Sequence, residues 1–194
     1  LLWSSMYGNT KAVTDAVMRG VAREGVPMEV FEVPLADHSY ILASVFKNKG
    51  IIVGAPTYEV KMFPPMAQVL DSIARKRMTG RKAFHFGSFG WSGGAQKEFE
   101  TVAEELKWEL SESLEFRGAP SSEDLSKAED LAAAFARAIR DAPLRERATP
   151  VPSGPTSEIT HLPLRPLVPA WLQHRGVAWA LDLIPNLVNL EKSQ

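Results

Sequence analysis

The chain has 194 residues, 22 Lys/Arg against 23 Asp/Glu, a net charge of −1 and no cysteine. That charge balance gives no electrostatic argument for nucleic acid or an anionic membrane as partner. The missing cysteines exclude disulfides, thiolate catalysis, iron–sulfur ligation and Cys-based zinc sites in this chain.

The four histidines, His38, His85, His161 and His174, show no metal-ligand spacing, so no metal site is expected from this chain alone. No apolar run approaches the ~20 residues that span a bilayer, and no signal peptide is visible. The expected location is therefore the cytoplasm, without nucleic acid or membrane as partner. The chain opens on Leu1-Leu2-Trp3 without a Met, and a truncated N-terminus is expected.

In chain order, Leu1–Ser4 reads as a stub of buried strand. Asn9–Glu24 places Ala12, Val13, Ala16, Val17 and Val21 at helical spacing, and Met28–Val33 alternates like a strand. Ile51–Gly54 is short and wholly apolar, as in a parallel strand buried on both faces. Phe63–Arg75 is helical, with Pro64 and Pro65 tolerable only in its first turn. Lys82–Ser88 reads as a strand, Ala95–Trp108 as a helix and Leu110–Phe116 as a strand. Ser121–Arg140 is a helix with a serine N-cap, acidic residues toward its start and arginines toward its end. Alternation of five strands with helices predicts a doubly wound parallel sheet. Its ligands bind at the carboxyl ends of the strands.

Composition changes near residue 143. Residues 1–142 hold 17 Lys/Arg, 19 Asp/Glu and 6 Pro, whereas residues 143–194 hold 5, 4 and 8. Eight prolines in so short a stretch break up regular structure. The expected organisation is a domain over 1–142 and an irregular, Pro-rich C-terminal extension over 143–194. Within that extension, Val177–Leu190 reads either as an amphipathic docking segment or, the favoured reading, as a loosely ordered tail.

Three loops follow strands and emerge on one edge of the sheet. In the first, Ser5, Met6, Tyr7, Gly8, Asn9 and Thr10 combine hydroxyls, an amide side chain and backbone N–H groups at a helix N-terminus, a set that can wrap a phosphate. Neither the GxxxxGK[ST] nor the GxGxxG spacing is present. A plain N-cap and tight turn would use the same residues. The second loop carries Pro56, Thr57 and Tyr58, where Thr57 can bond the edge of a flat heterocycle and Tyr58 can stack on it.

The third loop, with Ser88, Phe89, Gly90, Trp91, Gly93 and Gly94, mixes glycines with large aromatics. Core packing would not select such a mixture, although a turn with incidental aromatics is the alternative. Together the loops describe a pocket with a phosphate anchor at one end and aromatic walls at the other. Flavin mononucleotide fits it. FAD and NAD fit less well, because no Asp or Glu stands where a dinucleotide ribose needs one.

At SMYGNT (5–10), GAPTY (54–58), KMFPPMAQVLD (61–71) and FGSFGWSGGA (86–95) the chain resembles the flavodoxin-like domain of the flavodiiron (A-type flavoprotein) family. The resemblance covers roughly residues 1–142 and implies a 2-1-3-4-5 sheet with FMN held by all three loops. It also implies electron transfer from a rubredoxin or a reductase to a diiron centre that reduces O2 or NO. That centre would lie in a metallo-β-lactamase-like domain or subunit, within a homodimer or homotetramer. The diiron ligand motifs are absent here, so this chain alone would carry electrons but not reduce O2 or NO. A free flavodoxin-type carrier and an NAD(P)H:quinone reductase of the same fold are the competing readings. The weak charge speaks against the carrier, and no motif shows the reductase's substrate pocket.

Three residues near these loops carry a functional and a plainer reading. His85 reads as a packed core histidine rather than a proton donor. Glu59 and Lys11 read as solvated charges rather than as tuning or phosphate groups.

Overall fold

The computed structural model describes residues 1–142, so the expectations for 143–194 lie outside the described residues. The sheet is built around the apolar run that the sequence marks. This is β3, Gly50–Gly54, flanked in parallel by β1 (Leu2–Trp3) and β6 (Lys82–Phe89). Its side chains alternate between two cores. Ile51 and Val53 join one cluster with Met66, Leu70 and Phe99, and Ile52 joins the other with Val17, Phe84 and Phe135. Burial on both faces explains why this strand has no polar position.

β2 (Phe31–Glu32) pairs outside β1. The fifth position, beyond β6, is filled by two short strands, β7 (Glu109–Leu110) and β8 (Leu114–Arg117). The order is thus the expected 2-1-3-4-5, all parallel, with its last strand in two pieces. The predicted single strand Leu110–Phe116 is interrupted at Ser111-Glu112-Ser113, which has no apolar side chain to bury.

Between the strands run α1 (Asn9–Arg23), α2 (His38–Lys47), α3 (Pro64–Arg75), α4 (Ala95–Glu105) and α5 (Ser122–Arg140). α1 and α5 cover one face of the sheet, and α2, α3 and α4 the other. Pro64 and Pro65 occupy the first turn of α3 as expected, and α5 starts on a full capping box between Ser121 and Asp124. α2 is not apparent from the sequence pattern. Its buried positions Ile41, Ser44 and Val45 follow helical spacing, but Tyr40 and Phe46 are exposed and obscure the stripe. A small hairpin also forms where a loop is expected. In it β4 (Thr57–Tyr58) pairs antiparallel with β5 (Lys61–Met62).

Candidate functional site

The carboxyl ends of β1, β3 and β6 deliver the three predicted loops to one edge of the sheet, where they enclose a cleft of about 460 Å³. Met6, Tyr7 and Asn9 line it from the first loop, Pro56, Thr57 and Tyr58 from the second, and Ser88, Phe89, Gly90 and Trp91 from the third. Such a volume with mainly apolar walls is ordinary for a small-molecule site. Ser5, Gly8, Thr10, Gly93 and Gly94 belong to the same loops but do not line the cleft. Glu59, Val60, Ser92 and Gly118 join it unpredicted. Gly118 follows β8 at φ +68, and a lone glycine after a strand is too common a signal to have singled it out.

The first loop prepares the N-terminus of α1. Gly8 is its N-cap at φ +85, a left-handed conformation that favours glycine, and it supplies no side-chain cap. Ser5 Oγ accepts from the Gly8 N–H at 2.9 Å and closes the loop on itself. No acidic residue stands in the first turn, so the positive end of the helix dipole is uncompensated. Thr10 is buried, and its hydroxyl lies 3.4 Å from that of Ser88, linking the first loop to the third. Asn9, not Thr10, is the polar residue of this turn that reaches the cleft.

The second loop is a two-residue turn in which Glu59 and Val60 both adopt positive φ, +47 and +64. This is the backbone of a tight hairpin, in which Gly, Asn or Asp are the usual residues. A β-branched residue there is strained. The hairpin is held against α4 in three ways. Thr57 Oγ1 accepts from the Ala95 N–H at 3.2 Å, Glu98 Oε2 accepts from the Met62 N–H at 2.8 Å, and Gly94 packs flat against the Val60 carbonyl. A Cβ on Gly94 would fall 2.0 Å from that oxygen, so only glycine fits. The Thr57 hydroxyl that the sequence suggests for a ring edge therefore also caps a helix.

Aromatic side chains stand at the mouth. Tyr7 is 84% exposed, Trp91 87% and Tyr58 40%, with Tyr58 meeting Phe63 edge-on at 6.5 Å. Exposed aromatics of this size beside an apolar cleft are the informative kind of surface. The Gly90–Gly94 N–H groups make no hydrogen bond among the described residues, and a side chain at Gly90 would meet nothing within 4 Å. Gly90, with its unbonded N–H and open space beside it, thus lines the same cleft as the rings.

Beneath the loops, His85 is fully buried and stacked on Phe99 at 5.2 Å. Neither ring nitrogen has a hydrogen-bond partner among the described residues, although the Ala55 backbone lies alongside. Burial pushes its pKa down to about 4, the Ala55 backbone working the other way. His85 is a neutral core group, as its place inside a strand suggests. Among the described residues no group of three His, Cys, Asp or Glu could hold a metal, and no helix is long and apolar enough to cross a membrane.

These features define a doubly wound α/β protein with a cleft at the carboxyl ends of its strands, where a helix start without a side-chain cap meets exposed aromatics. The chain belongs to the flavodoxin family, whose model matches residues 1–131. It is 32% identical over 166 residues to the anaerobic nitric oxide reductase flavorubredoxin of Aeromonas hydrophila, covering 81% of this chain and 34% of that protein. The chain therefore spans about a third of the length of the curated relatives it matches.

Two solved structures bracket the fold. Rubredoxin oxygen:oxidoreductase of the anaerobe Desulfovibrio gigas superposes with a TM-score of 0.69 at 24% identity, over 72% of this chain and 35% of that one. A flavodoxin from the domain Archaea gives 0.65 at 25%, over 72% and 96%.

Proposed function

We propose that this chain is an FMN-binding electron-transfer module, the flavodoxin domain of a flavodiiron-type oxygen or nitric oxide reductase. The observation that carries the proposal is a single cleft lined by both the uncapped start of α1 and the aromatics Tyr58 and Trp91. The residues fit the cofactor. The N–H groups of the first turn of α1, with Ser5 and Asn9, would hold the phosphate dianion. Tyr58 and Trp91 would flank the ring, and the unpaired N–H groups of Gly90–Gly94 would meet its polar edge. Bound FMN supplies one- and two-electron transfer, while the chain binds, orients and shields it.

The flavorubredoxin likeness supports an acceptor outside this chain. That acceptor is a diiron centre in a metallo-β-lactamase-like domain or subunit. The donor is rubredoxin or a reductase, and the working assembly is a cytoplasmic homodimer or homotetramer.

Incubating the purified chain with FMN tests the reading. The expected result is a yellow protein that releases FMN on denaturation, and that, once reduced, passes electrons to a diiron domain supplied separately. A protein that stays colourless after incubation sinks the proposal. One that loads FMN but reduces quinones directly with NADH belongs to the competing reductase reading.

A further inference from the structure

The third loop contains three glycines in its five residues 90–94, and its Trp91 side chain is almost wholly in solvent. Such a segment has much conformational freedom to lose, so something must hold it if it is to bind a ring. Packing does not, at least at Gly90, where a side chain would meet open space.

The hold comes from β8, whose side chains do not line the cleft. Glu115 and Arg117 are two residues apart on a strand and so share one face of the sheet. Arg117 Nε donates to the Gly90 carbonyl at 2.9 Å, and the Gly118 N–H donates to the Phe89 carbonyl at 2.8 Å. At the other end of the loop, the Glu115 carboxylate oxygens lie 3.2 and 3.3 Å from where a Cβ on Gly93 would be. The same carboxylate lies against the Gln96 N–H at the start of α4. Among the described residues, the only other hydrogen bond made by residues 90–94 is Glu98 N–H to Gly94 O, which belongs to the first turn of α4. The two charges thus bracket the loop, a cation on its first carbonyl and an anion packed against Gly93 and the Gln96 N–H that follows the loop.

We propose that Glu115 and Arg117 are positioning residues for ring binding. From outside the cleft they fix the Gly90–Gly94 loop, and with it Trp91 and the loop's unpaired N–H groups, in the arrangement a flat heterocycle needs. This inference rests on the flavin reading above.

The test uses the full 194-residue chain with three probes: FMN, riboflavin, which has the ring without the phosphate, and inorganic phosphate as a competitor of FMN. Arg117→Met and Glu115→Gln are each expected to weaken riboflavin and FMN by the same factor, about tenfold, the scale of one hydrogen bond to a charged group. The inhibition constant of phosphate stays unchanged, the visible circular dichroism of the bound flavin changes, and Arg117→Lys regains part of the affinity. Glu115→Gln removes a partly buried charge and is expected to keep the fold, so it carries the test should Arg117→Met not fold. Variants that bind riboflavin within about twofold of the parent, with an unaltered visible spectrum, would overturn the inference while leaving the flavin reading intact. A parent chain that binds neither flavin removes the flavin reading and this inference together.

Discussion

α1 and α4 start at the same edge of the sheet, and each has a glycine N-cap that supplies no side chain. Their first turns are nevertheless used in opposite ways. At α4, Thr57 takes the Ala95 N–H, Glu115 lies against the Gln96 N–H, and Glu98 places a carboxylate in the first turn. The positive end of that helix is therefore occupied by protein and serves as a hub for the hairpin and the third loop. At α1 no acidic residue stands in the first turn, and Lys11 lies there instead. Whether a helix start is open to an anion therefore depends on what its neighbours leave unoccupied, not on its own sequence alone.

The largest expected effect comes from making α1 resemble α4. Ser5→Asp places a carboxylate beside the Gly8 N–H, which Ser5 Oγ already accepts. It compensates the dipole and so raises the thermal stability of the flavin-free chain slightly, by roughly 0.3–1 kcal/mol. Against a phosphate dianion the same charge is repulsive, and FMN affinity should fall on the order of 100-fold. Riboflavin, lacking the phosphate, should bind as before. Titrating both ligands by flavin fluorescence checks this. An equal loss for both would mean that α1 is not the anchor.

The next effect lies under the α4 side of the sheet. The His85 pKa is lowered by burial to about 4 from an ordinary 6.5. Between those values the unfolded chain binds a proton that the folded chain refuses, so stability is full above about pH 6.5 and falls as pH drops toward 4. His85→Phe keeps a ring to stack on Phe99 and removes the titration. Chemical denaturation of parent and variant between these pH values should show the difference shrinking as pH rises. A parallel pH dependence would assign the acid loss to other groups.

Much of this contrast is legible in the sequence, and the part that is not has a physical cause. Strand β3 announces itself because burial on both faces demands an unbroken apolar run. The loop after β6 does so because core packing does not select glycines mixed with large aromatics. The helix α2 stays hidden, since its outward Tyr40 and Phe46 mask the stripe formed by Ile41 and Val45. Nor could a linear reading show that Thr57 and Glu115, 58 positions apart, meet at consecutive N–H groups of one helix. Residues that act by closing off a competing site are recognisable only once the chain is folded. The same holds for the Thr10 hydroxyl, whose contact with Ser88 spans 78 positions.

The smallest effect concerns the turn that α4 holds in place. Val60 sits at φ +64 and is largely exposed, so its side chain contributes little burial while its backbone is strained. Relieving a left-handed β-branched residue is worth roughly 1–2 kcal/mol, and the extra freedom of an unfolded glycine returns about 0.5–1 kcal/mol of that. Val60→Gly should therefore stabilise the flavin-free chain by about 0.5 kcal/mol or slightly more, seen as a small rise in melting temperature. The Val60 carbonyl packed on Gly94 and the Glu98 bond to Met62 keep the hairpin docked in the variant. If the melting temperature falls instead, the exposed Val60 side chain contributes more to the hairpin than its backbone strain costs. The α4 hub would then depend on the hairpin's side chains as well as on its backbone.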